Sequence, residues 1–121
     1  MAEHNEFGKL AENYAAEKYR KNGYEILAQN WYFHPAEIDI IAKRDNILAI
    51  VEVKARHSEI FENPEDSVTR AKKKRLIAAA DAYIQENDLD VECRFDIAVV
   101  TKNGQKLHFK VFTDAFYAHE I

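Results

Sequence analysis

The sequence predicts an α/β domain: a central mixed β-sheet flanked by helices, in the order α-β-β-β-α-β-β. Three observations predict it. Apolar residues recur at helical spacing near the start of the chain and again between residues 67 and 86. Two β-branched runs, 37–43 and 47–55, stand on either side of a short polar break. A further run, 94–101, is followed by Asn103-Gly104, a strong hairpin signal, and by a returning apolar segment.

Each element follows in turn. From Glu6 to Asn22, Leu10, Ala11, Tyr14, Ala15 and Tyr19 make one apolar helical face. Gly23 stands where a helix terminator belongs. Tyr24 to Ala28 reads as a strand, and Trp31 to Phe33 as an aromatic stretch that can stack on unpaired bases but is better used in core packing. Residues 37–43 and 47–55 read as the arms of a hairpin, because Asp45 and Asn46 tolerate the positive φ of a tight turn. Residues 57–66 have no period and read as a loop. Ser67 or Thr69 can cap a second helix that runs to Glu86, with Leu76, Ala79, Ala80, Tyr83 and Ile84 on one face. Strands at 94–101 and 107–112 follow, and Asp114 to His119 reads as a short terminal helix.

With 121 residues, one domain covering 1–121 is expected. The single cysteine, Cys93, rules out an intrachain disulfide and a cysteine zinc cluster. No charged-then-apolar leader is visible, and no apolar run approaches the roughly 20 residues of a membrane span. The expected address is cytoplasmic, away from the membrane. A net charge of −4 argues against a histone-like protein held to nucleic acid by bulk charge. A local basic patch is still present: Arg70, Lys72, Lys73, Lys74 and Arg75 are close together in the chain.

The chemistry concentrates in the central hairpin. Glu52 and Lys54 interrupt an apolar strand, and residues two apart on a strand share a face. A turn at Asp45-Asn46 pairs Arg44 with Ile47 and brings Asp39 opposite Glu52, with Cβ atoms about 4.5–5.5 Å apart. Two opposed carboxylates repel unless a cation sits between them, and an oxygen-liganded Mg²⁺ suits that place. A metal on two carboxylates with a lysine beside it can polarise a phosphoryl oxygen, activate a water and stabilise the transition-state charge. The residues alone also allow a plain Glu–Lys pair facing solvent, with Asp39 as an edge charge.

Here the chain resembles a family. Glu37-Ile38-Asp39-Ile40-Ile41-Ala42 and Val51-Glu52-Val53-Lys54-Ala55-Arg56 are similar to the signature of the YraN-like group of uncharacterised bacterial proteins. Gly8, Glu12, the segment 23–27, Asn30, Val68-Thr69, Lys72, Leu76 and 94–96 extend the match over about residues 8–100. That group resembles the PD-(D/E)XK nucleases, closest in style to archaeal Holliday-junction resolvases. The resemblance implies a restriction-endonuclease-like fold and a Mg²⁺- or Mn²⁺-dependent endonuclease, acting on DNA ahead of RNA, on branched or junction substrates. It implies Asp39 and Glu52 as metal ligands, with the Val53 carbonyl as a further ligand. Lys54 completes the Glu-x-Lys pair, and Glu12 is the accessory acid. It also suggests a homodimer, since two strands must be cut. Ile38 replaces the proline of the superfamily name, and Ala36 and Ala11 stand where the family has glycine.

Other residues have less specific readings. Lys72, Lys73 and Arg75 fall in the first turns of a helix, where cations oppose the macrodipole and a phosphate would offset that cost. Arg56 can reach a phosphate next to the site or pair with an acid of the following loop. Asp96, inside an apolar strand, reads as a partner for Arg94. The five histidines show no metal spacing. The alternative to an endonuclease is a non-catalytic nucleic-acid-binding module of the same fold, and a third reading is a protein-interaction scaffold.

Overall fold

The computed structural model describes residues 2–57 and 68–117, with side chains from residue 6 onward. The order is α1 (Ala2–Lys21), β1 (Glu25–Phe33), β2 (Ala36–Arg44), β3 (Ile47–Arg56), α2 (Arg70–Glu86), β4 (Glu92–Asn103) and β5 (Lys106–Phe116). This is the predicted α-β-β-β-α-β-β sequence, and its mixed sheet is consistent with a restriction-endonuclease-like fold. The strands form one sheet in the order β1-β2-β3-β4-β5. Only β3 and β4 run parallel, and α2 makes the long connection that a parallel pair requires.

Each helix covers one face. On the α2 face, Ile38, Ile41, Leu48, Ile50, Phe95, Ile97 and Val99 meet Leu76, Ala79, Ala80 and Tyr83. On the α1 face, Ile40, Ala42, Ala49, Val51, Ala98 and Val100 meet Ala11, Ala15, Ala16 and Tyr19. Alanines dominate the α1 contact on both sides, so that helix lies close against the sheet. Thr69 caps α2: its side chain accepts from the Lys72 backbone N–H at 3.1 Å.

Several expectations need correction. Leu10 is 47% exposed. The buried stripe of α1 is Phe7, Ala11, Ala15, Ala16 and Tyr19, and Leu10 lies outside it; Tyr14 is half-buried, edge-on to Phe109. The first strand does not stop at Ala28 but continues through Trp31 to Phe33. Asp114, Ala115 and Phe116 belong to β5, not to a terminal helix. There Phe116 stacks on Phe95 at 4.8 Å, so pairing with β4 outweighs local helix propensity. Tyr117, next in line, is not helical either; the last two residues of that predicted helix, nearly all of the 57–66 loop, and Ser67 as a cap lie outside the described residues.

The β2–β3 turn is as predicted. Arg44 pairs with Ile47, Asp45 adopts φ 52°, and the ladder runs to Ile40 with Val51. It stops one pair short of Asp39 and Glu52. There the face alternation also breaks: Ile38 and Ile40, two residues apart, lie on opposite faces. The same break occurs directly across in β1. Gln29 reaches Asn13 of α1, while Trp31 packs on Tyr83 of α2. Between them Asn30 takes a left-handed φ of 51°, which asparagine tolerates better than most side chains. The paired irregularity at Asn30 and Asp39 opens the sheet where the candidate site lies.

Candidate metal and phosphodiester site

Asp39 is freed from the regular ladder by this break. Its Oδ2 accepts a hydrogen bond from the Val53 backbone N–H at 2.8 Å. The carboxylate thus replaces a strand partner at the point where β2 and β3 part. Glu52 follows the last ladder residue of β3 and points to the α2 face, only 5% exposed. Lys54, two residues on, shares that face, and its Nζ lies 3.4 Å from Glu52 Oε2. Strand periodicity alone explains this contact.

A second ammonium arrives from α2. Lys72 Nζ donates to the same Glu52 oxygen. Asp39, Glu52, Lys72 and Arg75 line one cleft with Pro35, Ala36, Glu37 and Leu76, of about 320 Å³. From the other side of the sheet comes Glu12 of α1, whose Oε1 accepts from the Asn30 side-chain amide at 2.7 Å. The same amide lies 3.3 Å from Glu37 Oε2. Asn30 therefore ties an acid of α1 to an acid of β2 beside Asp39.

The electrostatics follow from this crowding. Burial, then the charge of Glu52, push the Asp39 carboxyl well above the ordinary carboxylate range, against the opposing effect of the Val53 N–H. Glu12 is raised as well, first by burial, with the Asn30 hydrogen bond opposing and the charges of Glu37 and Glu52 adding to it. A pocket of carboxylates that resists full ionisation takes up protons or cations.

The donor set fits a hard divalent cation. Among the described residues no three His, Cys, Asp or Glu side chains converge as a ready-made cage. Mg²⁺ does not require one, because it keeps several waters and is commonly held by one or two carboxylates. Asp39 and Glu52 are the carboxylates that would hold such an ion. Val53 meets Asp39 through its N–H in this structure.

The other expected residues divide. Lys72 and Arg75 reach the cleft. Lys73 instead lies over the Phe116 ring at 5.4 Å, and Arg56 is exposed at the end of β3, bonded to the Ala55 carbonyl at 3.0 Å. Asp96 pairs with Arg94, as its sequence position suggests, and also accepts from Tyr19 at 2.7 Å. Asn30 and Glu37 were not assigned roles from the sequence. An asparagine inside an aromatic-rich strand was the available signal for the first.

The chain also has close relatives. A family model described as "Uncharacterised protein family UPF0102" matches residues 11–100. A UPF0102 protein of Flavobacterium psychrophilum is 50% identical over 117 residues, covering 97% of this chain and 98% of the relative. One of Flavobacterium johnsoniae is 49% identical with the same coverage. One of Bacteroides thetaiotaomicron is 43% identical, covering 97% of both chains.

Proposed function

Because the chain belongs to the UPF0102 family, whose description names no activity, we propose its function from the cleft itself: metal-dependent hydrolysis of nucleic-acid phosphodiesters. The observation that carries this reading is the placement of a half-buried Asp39 and a buried Glu52 together at the split in the sheet, with Lys54 beside Glu52. When bound, a Mg²⁺ or Mn²⁺ ion supplies Lewis-acid polarisation of the phosphoryl group and a more acidic water. Asp39, once deprotonated, and Glu52 would hold such an ion. Lys54 orients the attacking water and stabilises the negative charge that grows on the phosphoryl oxygens. The water oxygen bonds to phosphorus in line as the bond to the leaving oxygen breaks; the water gives up a proton to solvent, and the leaving oxygen takes one up. Lys72 and Arg75, at the cleft wall, meet phosphates of the strand.

DNA is the proposed partner ahead of RNA, in the cytoplasm, with two copies acting where two strands are cut. No described helix is long and apolar enough to cross a membrane.

One observation favours a second reading. Lys72 pairs directly with the Glu52 carboxylate, which suits a module of the same fold that binds nucleic acid and does not cut it. Two measurements separate them. Calorimetry should show Mn²⁺ binding to the wild type and none to Asp39→Ala. Incubation with Mg²⁺ or Mn²⁺ and branched, flap or single-stranded substrates should give cleavage that Lys54→Ala abolishes. Metal binding unchanged in Asp39→Ala, or cleavage unchanged in Lys54→Ala, rules out the hydrolytic site. Salt-dependent binding without cleavage selects the second reading.

A further inference from the structure

The end of the β1–β2 hairpin carries aromatic surface that the fold does not use. Trp31 is the packed member of the series, edge-on to Tyr83 at 5.1 Å. The next two are different. Tyr32 is 70% exposed and Phe33 44% exposed, although both lie within β1. Phe33 stacks parallel to Trp31, its ring centroid 6.5 Å away and 3° from parallel. Tyr32 stands opposite Glu37 in the ladder; its hydroxyl hydrogen-bonds the Glu37 carboxylate, and the charges of Glu37, Glu12 and Asp39 also bear on it. Phe33 stands opposite Ala36. Glu37 and Ala36 both line the cleft that holds Asp39 and Glu52. The two exposed rings therefore project to either side of a hairpin end at the rim of the site.

We propose that Tyr32 and Phe33 stack on unpaired bases, so that the strand entering the cleft belongs to a nucleic acid with a single-stranded segment. The proposal rests on the nucleic-acid reading of the cleft and names its substrate class. Scattered exposed apolar residues are ordinary, but these two are adjacent, and their ladder partners Glu37 and Ala36 line a cleft whose wall also carries Lys72 and Arg75. Lys72 and Arg75 offer charge complementary to phosphates, and the rings offer faces to bases. In an intact duplex the base faces are already stacked on one another. Unpaired bases expose them, and an aromatic side chain receives any base without reading its sequence.

The test is fluorescence anisotropy with full-length protein in EDTA at fixed salt, so that binding is read without cleavage. The probes are a labelled oligothymidylate, an abasic strand of equal length and charge, and a blunt duplex. Wild type should bind oligothymidylate more tightly than either other probe. Tyr32→Ala and Phe33→Ala should each weaken that binding about 10-fold, Tyr32→Phe should retain it, and the duplex affinity should not change. Thermal midpoints measured in parallel confirm that each variant is folded. The wild-type comparison of abasic and thymidylate strands needs no variant at all. Equal affinity for those two strands, equal losses on duplex and single strand, or no binding of the single strand overturns the proposal. Failure of the metal reading is separate: it shows as absent Mn²⁺ binding while the dependence on Tyr32 persists.

Discussion

Burial and the neighbouring Glu52 carboxylate raise the Asp39 pKa from 3.8 to about 8. The consequence for stability has a definite sign. A group whose pKa rises on folding binds a proton more tightly in the folded state, so its stabilising effect is complete below pH 3.8 and is lost as pH climbs through about 8. Metal-free wild type should therefore lose stability relative to Asp39→Asn between those limits. By pH 9 the variant should be the more stable by on the order of 1–3 kcal/mol, read from urea unfolding across pH. Mn²⁺ should reverse the order, because it stabilises only a chain that can bind it. A difference between the two proteins that stays flat with pH rules out a buried, proton-binding Asp39. The trio itself was legible in the sequence, since period-2 spacing joins Glu52 to Lys54 and the turn residues set the register toward Asp39. Asn30 was not, because its importance lies in a left-handed φ and a change of face that no local pattern announces.

At the scale of elements, α2 matters to the site through its first turn. Thr69 caps that turn and holds the Lys72 backbone, while the Lys72 side chain reaches Glu52. Thr69→Ala should cost about 1 kcal/mol in denaturant unfolding. Lys72→Met removes one of the two ammoniums on a nearly buried carboxylate. Leaving such a charge less compensated is destabilising, and the metal-free Tm should fall by about 4 °C or more. The same variant should bind Mn²⁺ more tightly than wild type, because Glu52 no longer has Lys72 as a competing partner. Calorimetry that finds weaker binding would show instead that Lys72 helps to hold the ion's place open. The helices and the central hairpin were readable because apolar period and turn chemistry agree there. The terminal strand was not. Asp114 to Phe116 joins β5 through contacts with β4, and Phe95 stacks on Phe116 across many residues of chain. Leu10 was misassigned for a related reason: helical spacing offers several apolar arcs, and only the close, alanine-lined approach of α1 to the sheet selects among them.

For the molecule as a whole, one polar cluster on the α1 face joins distant parts of the chain. Asp96 is 1% exposed and is held by the Arg94 guanidinium through two 2.8 Å bonds. It also accepts from Tyr19 of α1 at 2.7 Å and from the Asp114 backbone of β5 at 3.2 Å. Arg94 donates in turn to the Tyr24 hydroxyl at 2.8 Å. The first helix and the last two strands are thus tied at one carboxylate, and Arg94 extends the cluster to Tyr24, just before β1. Arg94→Met strands that carboxylate and should cost about 3–5 kcal/mol. Tyr19→Phe removes one hydrogen bond to a charged group and should cost about 1.5–3 kcal/mol. Asp96 and Glu52 lie on neighbouring strands, since Glu52 pairs with Ile97, yet they face opposite helices and share no partner. If clamp and cleft are energetically independent, Arg94→Met and Asp39→Asn should add within about 0.5 kcal/mol in a double-mutant cycle at pH 9. A larger interaction energy would mean that β3 and β4 transmit strain from the clamp to the split where Asp39 sits. Metal affinity should then change in Arg94→Met even under conditions where that variant remains fully folded.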